Sequence, residues 1–425
     1  MDLLVGPGPL AGTVRAPSSK SMAHRALICA ATANSPVFVE CTDTSQDIDA
    51  TARCLAALGA SVEPEPGRGF HVSPIPGAPE APVTLDCAES GSTLRFMVPL
   101  AAALGADATF VGAPRLLERP MDPLGRALAA GGVTMERTGA SLRVSGRLSP
   151  GTFSVPGDVS SQFVSGLLMA SPLVAGPVAV EVEGPVASAP YIELTASAMA
   201  SFGRPVPREG DGRSTRYAPQ GTGRLCAPGG SVAVEGDWSN AAFWLAAGAL
   251  GSKVEVTGVS RTSVQGDRAV TAALALLGAS VTQGPCSAQA SPGTPRAAVL
   301  NVEQTPDLVP PLAAVAAAAP GTSRVTGTAR LRIKESDRVA TVAACLAALG
   351  ASVSVEGDDI VICGGAPLAG GTADAANDHR IAMMAAVLST RCRGPVTILG
   401  AECVTKSYPR FFDDYAALGG AVRKA

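Results

Sequence analysis

The nine residues CLAALGASV occupy positions 54–62 and recur unchanged at 345–353. A run of Ala and Leu, then a glycine, then a polar–apolar alternation reads as a helix that stops on a left-handed glycine and hands the chain to a strand. Four weaker relatives lie elsewhere: RALAAGGVT from 126, ASAMASFGRPV from 196, LALLGASV from 274 and DYAALGGAV from 414. The glycines stand at 59, 131, 203, 278, 350 and 419, spaced 72, 72, 75, 72 and 69 residues apart. Five near-equal intervals mark an internal repeat, against the alternative of chance in an Ala/Gly-rich chain. Alternating stretches such as SLRVSG and DIVICG follow the glycines, so each unit is a mixed α/β module. Six modules divide into three plus three, and three helices around a pseudo-threefold axis would bury one another. The segment CAPGGSVAVEGDWSN, 226–240, falls between the third and fourth copies and is the expected crossover.

The bulk composition excludes several classes. Of 425 residues, 47% are apolar, which is ample for large cores. A net charge of −3 and 4% aromatics offer neither a polyanion-binding surface nor stacking platforms for single strands. Ten scattered cysteines form no C-x-x-C, and there are three histidines, which argues against a zinc site and for reduced thiols in a cytoplasmic protein. The start, MDLLVGPGPLAG, lacks the pattern of a signal peptide. The uncharged run from Phe163 to Val180 is broken by Pro172, Gly176 and Pro177, and reads as helix, turn and strand rather than a membrane span.

Polar clusters interrupt this apolar texture. In APSSKSMAHRAL, 16–27, Ser18 or Ser19 caps a helix starting near Lys20, with Ser21 and Arg25 on one face. In DVSSQFVSGLLMA, 158–170, two serines and a glutamine open an apolar helix, a setting suited to phosphate. In RIKESDR, 332–338, Lys334 and Arg338 are four residues apart and read as like charges stacked on one helix face. In NDHRIAMMAAVL, 377–388, Asn377 or Asp378 caps and Arg380 lies in the first turn. Arg119 lies in the loop LLERPMDPL, and Lys406 precedes the last helix in VTKSYPRFF. Taken singly, each stretch also reads as an ordinary capped or solvated helix start. Together they gather cations at helix N-termini, where the helix dipole disfavours them, and a small, highly anionic substrate would resolve the conflict. Neither a G-x-x-x-x-G-K-[ST] nor a G-x-S-x-G motif occurs.

The motifs SSKSMAHRAL, ESGSTLR, ERP, VSSQF, SAPYIE, TPD, IKESDR, NDHRIAM and TKSYP follow one another along nearly the whole chain. In that order they resemble the 5-enolpyruvylshikimate-3-phosphate synthase (3-phosphoshikimate 1-carboxyvinyltransferase) family of enolpyruvyl transferases. The resemblance implies an α/β (α+β) fold: a two-lobed inside-out α/β barrel of six βαβαββ repeats, three per lobe, with helix N-termini directed at an interlobe cleft. Lobe 1 would comprise 1–19 and 236–425, and lobe 2 residues 20–235. It implies transfer of the enolpyruvyl group of phosphoenolpyruvate to the 5-hydroxyl of shikimate-3-phosphate, with no cofactor and no metal, by a monomer that binds neither nucleic acid nor membrane.

Carried over by motif, shikimate-3-phosphate would meet Lys20, Ser21, Arg25, Ser160, Ser161, Gln162, Ser188, Tyr191, Asp307 and Lys334. Phosphoenolpyruvate would meet Lys20, Gly91, Arg119, Gln162, Arg338, Arg380 and Lys406. The catalytic residues would be Asp307, accepting the hydroxyl proton, Glu335, protonating the methylene carbon, and Lys20. Two phosphate monoesters and two carboxylates bring roughly −5 to −6, to be met by Lys20, Arg25, Arg119, Lys334, Arg338, Arg380 and Lys406.

Two departures stand out. Glu89-Ser90-Gly91-Ser92 replaces the family's usual Asn-Ala-Gly-Thr or Asn-Ser-Gly-Thr, placing an acid where phosphoenolpyruvate or the inhibitor glyphosate would bind. Arg330 stands where many members have Asn. The sister enzyme acting on a UDP-amino sugar typically has a reactive Cys in the loop matching GAPRLLERPMDP, and this chain has none there. A repeat-built nucleic-acid clamp would need a continuous basic surface, against which the net charge argues.

Overall fold

This computed structural model describes residues 1–210 and 213–425. Six sheets of four strands carry the molecule, and one repeat shows how each is built. Strand Val83–Asp86 leads into helix Gly91–Leu104 and strand Ala108–Val111; helix Asp122–Ala130 then precedes strands Thr134–Thr138 and Ser141–Ser145. The first two strands are parallel, so a crossover must join them, and the first helix supplies it. The last two form an antiparallel hairpin whose second strand pairs with Ala108–Val111. The same pattern, a parallel pair whose second strand is flanked by an antiparallel pair, recurs in all six sheets, and the chain order first, second, fourth, third holds in four of them.

Three of the six sheets borrow a strand from a distant part of the chain. Ser231–Ala233 lies parallel to Val37–Glu40 in the first repeat. Gly12–Arg15 lies parallel to Val254–Thr257 in the fourth. Leu3–Val5 is inserted between Val396–Leu399 and Val422–Lys424 in the sixth. The chain forms two compact units, Met1–Pro17 with Glu235–Ala425, and Ser18–Val234. Each has its own apolar core.

The two helices of a repeat differ in composition and therefore in burial. Helix His379–Ser389 is buried at every position, and Trp238–Leu250 at every position but Ala249. Helices apolar all round belong in an interior; in the unit containing them, Trp238–Leu250, Val309–Ala318 and His379–Ser389 pack on one another. The second helices are one-sided: Arg338–Ala348 buries Arg338, Val339, Val342, Cys345 and Leu346, a single stripe.

The glycine pattern needs one correction. Gly59, Gly203, Gly278, Gly350 and Gly419 have positive φ, but Gly131 has φ −94° and the left-handed residue is Gly132, with φ 85°. In that copy Gly131 is itself the C-cap, so the turn falls one residue later than the spacing suggests. The run from Phe163 becomes helix Ser161–Ala170, a 3₁₀ turn and strand Val178–Glu183. Among the described residues no helix is long and apolar enough to cross a membrane.

Candidate active site

In the unit containing Glu235–Ala425, Asp307 and Arg338 join in one charged network. Asp307 lies in the 3₁₀ turn Pro306–Leu308, just ahead of the buried helix Val309–Ala318. Its Oδ1 accepts from Arg338 Nη1 at 2.9 Å and its Oδ2 from Arg380 Nη2 at 2.9 Å, with Lys334 Nζ at 3.9 Å. Arg338, 1% exposed, also donates from Nη2 to Glu335 Oε2 at 2.6 Å and from Nε to the fully buried Asp378 at 2.9 Å. Arg380 donates its backbone N–H to Asp378 at 3.0 Å, because Asp378 is the N-cap of helix His379–Ser389. Lys406 Nζ donates to the Asn377 carbonyl at 2.6 Å. Asp307, Lys334, Glu335, Arg338 and Arg380 therefore form one network, with Lys406 held at the turn that introduces Arg380.

Burial works to raise the pKa of Asp307, yet Arg380, Lys334 and Arg338 outweigh it and hold the carboxyl well below the usual carboxylate range. Burial lowers Lys334, an effect that Asp307 partly offsets. Burial also acts to lower Arg338, but Asp378, Glu335 and Asp307 more than restore it, and it stays charged.

The unit Ser18–Val234 holds two further groups. In the first, Gln162 is clamped from helix Gly91–Leu104: Arg95 Nη1 donates to its Oε1 and its Nε2 donates to Ser92 Oγ, both at 2.8 Å. A Cβ at position 91 would overlap Arg119 Nη1, so the glycine leaves the space that the Arg119 guanidinium occupies. In the second, buried Arg25 ties its own helix Lys20–Ala31 to helix Ala189–Ser201 through neutral oxygens. Its Nε donates to Thr195 Oγ1 at 2.8 Å, its Nη1 to the Ser21 carbonyl at 2.6 Å and its Nη2 to the Tyr191 carbonyl at 2.8 Å. Burial brings its pKa down to about 10. Lys20 opens helix Lys20–Ala31 and pairs with Asp47 at 2.7 Å. Ser160 caps helix Ser161–Ala170, accepting from the Gln162 N–H, and Ser188 precedes helix Ala189–Ser201, its carbonyl accepting from the Tyr191 N–H at 3.1 Å.

Backbone strain falls in the same places. Among the described residues the non-glycine residues with positive φ are Ala88, Ser188, Ala376 and Asn377. Each lies within three residues of the start of a helix carrying candidate residues: Gly91–Leu104, Ala189–Ser201 and His379–Ser389. Two of these turns are built alike, with the Asp86 side chain accepting from the Ala88 N–H at 2.8 Å and Asp374 from Ala376 at 2.7 Å. Such strain persists where the surroundings fix it, and it concentrates at functional sites.

Three expectations change. Lys334 and Arg338 do not share a helix face: Lys334 caps the end of the 3₁₀ turn Ala329–Ile333, while the helix begins at Arg338, capped by Asp337. Arg119 and Lys406 likewise stand at the C-terminal ends of short helices, Pro114–Glu118 and Ala401–Lys406, where the dipole suits a cation. The remaining clash of cations with helix starts is offset by Asp47, Asp307, Glu335 and Asp378, so the protein's own carboxylates stand in for an anion. Finally, Ser19 occupies the cap position of helix Lys20–Ala31 without a side-chain capping bond.

Sequence reasoning left Arg95, Ser92, Asp47 and Asp378 without roles in the site. The signal for Arg95 was available, as a lone cation inside the apolar run STLRFMVPLAAAL. Asp378 reads from the sequence only as one of two cap candidates, with Asn377.

The chain from residue 4 to residue 415 matches the model of the EPSP synthase (3-phosphoshikimate 1-carboxyvinyltransferase) family. It is 38% identical over 424 residues to the 3-phosphoshikimate 1-carboxyvinyltransferase of Clostridium kluyveri, covering 98% of this chain and 97% of that protein. It is 35% identical to the enzyme of the same name from Clostridium acetobutylicum, covering 99% and 98%. Among solved structures, EPSP synthase from Acinetobacter baumannii superposes with a TM-score of 0.80 at 25% identity, covering both chains fully. The enolpyruvyl transferase NikO from Streptomyces tendae, at 19% identity and TM-score 0.79 over 99% of this chain and 98% of its own, shares the fold.

Proposed function

The chain belongs to the EPSP synthase (3-phosphoshikimate 1-carboxyvinyltransferase) family, and from that premise we propose how its residues divide the reaction. The enzyme transfers the 1-carboxyvinyl group of phosphoenolpyruvate to the 5-hydroxyl of shikimate-3-phosphate and releases phosphate. The unit Ser18–Val234 holds shikimate-3-phosphate with Lys20, Ser21, Arg25, Ser160, Ser161, Gln162, Ser188 and Tyr191. Arg338, Arg380, Lys406, Arg119 and Lys20 meet the phosphate and carboxylate of phosphoenolpyruvate, with Gly91 allowing close approach. Lys334 serves the acceptor substrate beside Asp307.

Glu335 delivers a proton to the methylene carbon, and positive charge develops at the adjacent carbon. The 5-hydroxyl attacks that carbon while Asp307 takes its proton, giving a tetrahedral intermediate. Phosphate then leaves as Glu335 takes a proton back from the new methyl group, restoring the vinyl group. Two anionic substrates would draw Arg380, Arg338 and Lys334 toward themselves. That would weaken their hold on Asp307 and raise its proton affinity, which the empty site depresses.

The observation that carries this reading is the Asp307–Arg338–Glu335 link: one guanidinium donates to both residues, at 2.9 and 2.6 Å. The reading also takes the chain as a cytoplasmic monomer. Seven buried and three exposed free cysteines fit a reducing compartment, and sedimentation checks the mass. The decisive experiment measures phosphate release from phosphoenolpyruvate with and without shikimate-3-phosphate. Release only in the presence of both is expected; equal release without the acceptor refutes the reading.

A further inference from the structure

A chain of buried polar side chains in the unit Ser18–Val234 has no part in the mechanism above. His24 stands one turn beyond Lys20 in helix Lys20–Ala31. Its Nδ1 lies 2.7 Å from Thr51 Oγ1, on helix Gln46–Ala57. Thr51 Oγ1 lies 2.7 Å from Thr93 Oγ1, which donates to Ser90 Oγ at 2.8 Å. Ser90 is the N-cap of helix Gly91–Leu104, and its Oγ also accepts from the Thr93 N–H at 3.2 Å. His24, Thr51, Ser90 and Thr93 are all shut off from solvent. Asp47 braces the chain from the side. Its carboxylate pairs with Lys20 at 2.7 Å, and its carbonyl lies 3.4 Å from Thr93 Oγ1. The links therefore run from the helix that opens with Lys20 to the residue just before Gly91.

Counting protons gives the chain one direction, because a threonine hydroxyl has a single proton to donate. Thr93 donates to Ser90, so Thr51 must donate to Thr93. Thr51 has then spent its proton and must accept from His24, which makes His24 the neutral tautomer protonated at Nδ1. Its other nitrogen fits, since among the described residues Nε2 has no hydrogen-bond partner. No member can turn away without leaving a buried polar atom unpaired. We propose that His24, Thr51 and Thr93 are positioning residues, whose hydrogen-bonded chain fixes the start of helix Gly91–Leu104 relative to Lys20 so that both ends meet one phosphoenolpyruvate. The inference rests on the assignment of Lys20 and Gly91 to phosphoenolpyruvate. A shift of that helix start would carry Gly91 and disturb the Arg119 guanidinium lying against it, and small displacements of binding groups are costly.

The test measures KM for phosphoenolpyruvate at saturating shikimate-3-phosphate, with shikimate-3-phosphate affinity by calorimetry, in the wild type, Thr51→Val, Thr51→Ser and Gly91→Ala. Valine copies the shape of Thr51 but can neither accept nor donate, so KM should rise about fivefold while shikimate-3-phosphate affinity holds. Thr51→Ser keeps the hydroxyl and should restore the wild-type KM. An unchanged KM in Thr51→Val overturns the proposal. So does an equal loss for both substrates, the mark of a merely loosened fold, or a KM raised as far in Thr51→Ser. Nitrogen-15 NMR of the histidine-labelled wild type needs no variant to fold, and the chain has only three histidines. His24 should show the Nδ1-protonated tautomer, and an Nε2-protonated ring overturns the chain. Gly91→Ala tests the underlying assignment separately: an unchanged KM for phosphoenolpyruvate there refutes the role of Gly91 whatever Thr51 does.

Discussion

Asp307 is ionised in the empty site because three cations surround it, and that pairing has consequences beyond catalysis. Removing it leaves Arg380 and Arg338 short of a buried partner, a loss of about 3 kcal/mol. Its depressed pKa fixes the pH dependence. The stabilisation is fully present above the unfolded value near 3.8 and is lost as pH falls below it toward the lower folded value. Asp307→Asn should therefore melt below the wild type at pH 7, with the gap closing as acid is added below pH 4; a constant gap would deny the carboxylate this role. The same variant should lose about 10²–10⁴ in kcat while retaining affinity for shikimate-3-phosphate by calorimetry. Glu335→Gln should lose a similar factor, and full turnover in either variant removes its assignment. Arg25 differs, because it holds the Thr195 hydroxyl and the Tyr191 carbonyl through buried hydrogen bonds. Arg25→Ala should lower the melting temperature as well as the affinity for shikimate-3-phosphate, and a variant of unchanged stability would show those bonds to be idle.

At the level of elements, helix starts place the chemistry and their caps secure it. Asp337 accepts from the Ala340 N–H at 3.1 Å, fixing the first turn that carries Arg338. Asp337→Ala should cost about 1 kcal/mol of stability, measured by urea unfolding. Gly91 opens helix Gly91–Leu104 against the Arg119 guanidinium. Gly91→Ala should push Arg119 aside and raise the KM for phosphoenolpyruvate, leaving shikimate-3-phosphate affinity nearly intact. Equal losses for both substrates would mean that the helix itself had shifted. Much of this level was legible in the sequence. Short polar residues before apolar runs marked VSSQF and NDHRIAM as helix starts, with Asn377 or Asp378 as the cap of the second, since capping depends on local spacing. The place of Lys334 was not legible: Asp337 caps the helix that begins at Arg338, and the partner of Lys334, Asp307, lies far from it in sequence. The Arg95–Gln162–Ser92 clamp was hidden for the same reason, because its partners are 67 and 70 positions apart.

For the whole molecule, periodicity revealed six units but not which strands complete them. A glycine after a helix is a local signal, whereas strands Leu3–Val5, Gly12–Arg15 and Ser231–Ala233 join sheets whose other members lie far away in sequence. That exchange predicts which fragments fold. Residues 18–234 contain all the strands of three sheets, the crossover strand Ser231–Ala233 included, and an apolar core of their own. Expressed alone, they should unfold cooperatively and bind shikimate-3-phosphate, more weakly than the intact enzyme and without turnover, because Asp307 and Glu335 are missing. Residues 235–425 alone lack Gly12–Arg15 and Leu3–Val5, which leaves two sheets open, one of them in its interior. The Asp237 N–H donates to the Pro17 carbonyl at 2.9 Å, so a short glycine linker can join Pro17 to Glu235. The fusion of 1–17 to 235–425 should fold, and 235–425 alone should not. Near-ultraviolet circular dichroism and urea melts separate the two, and a cooperative melt from the unfused 235–425 would show that the borrowed strands are dispensable.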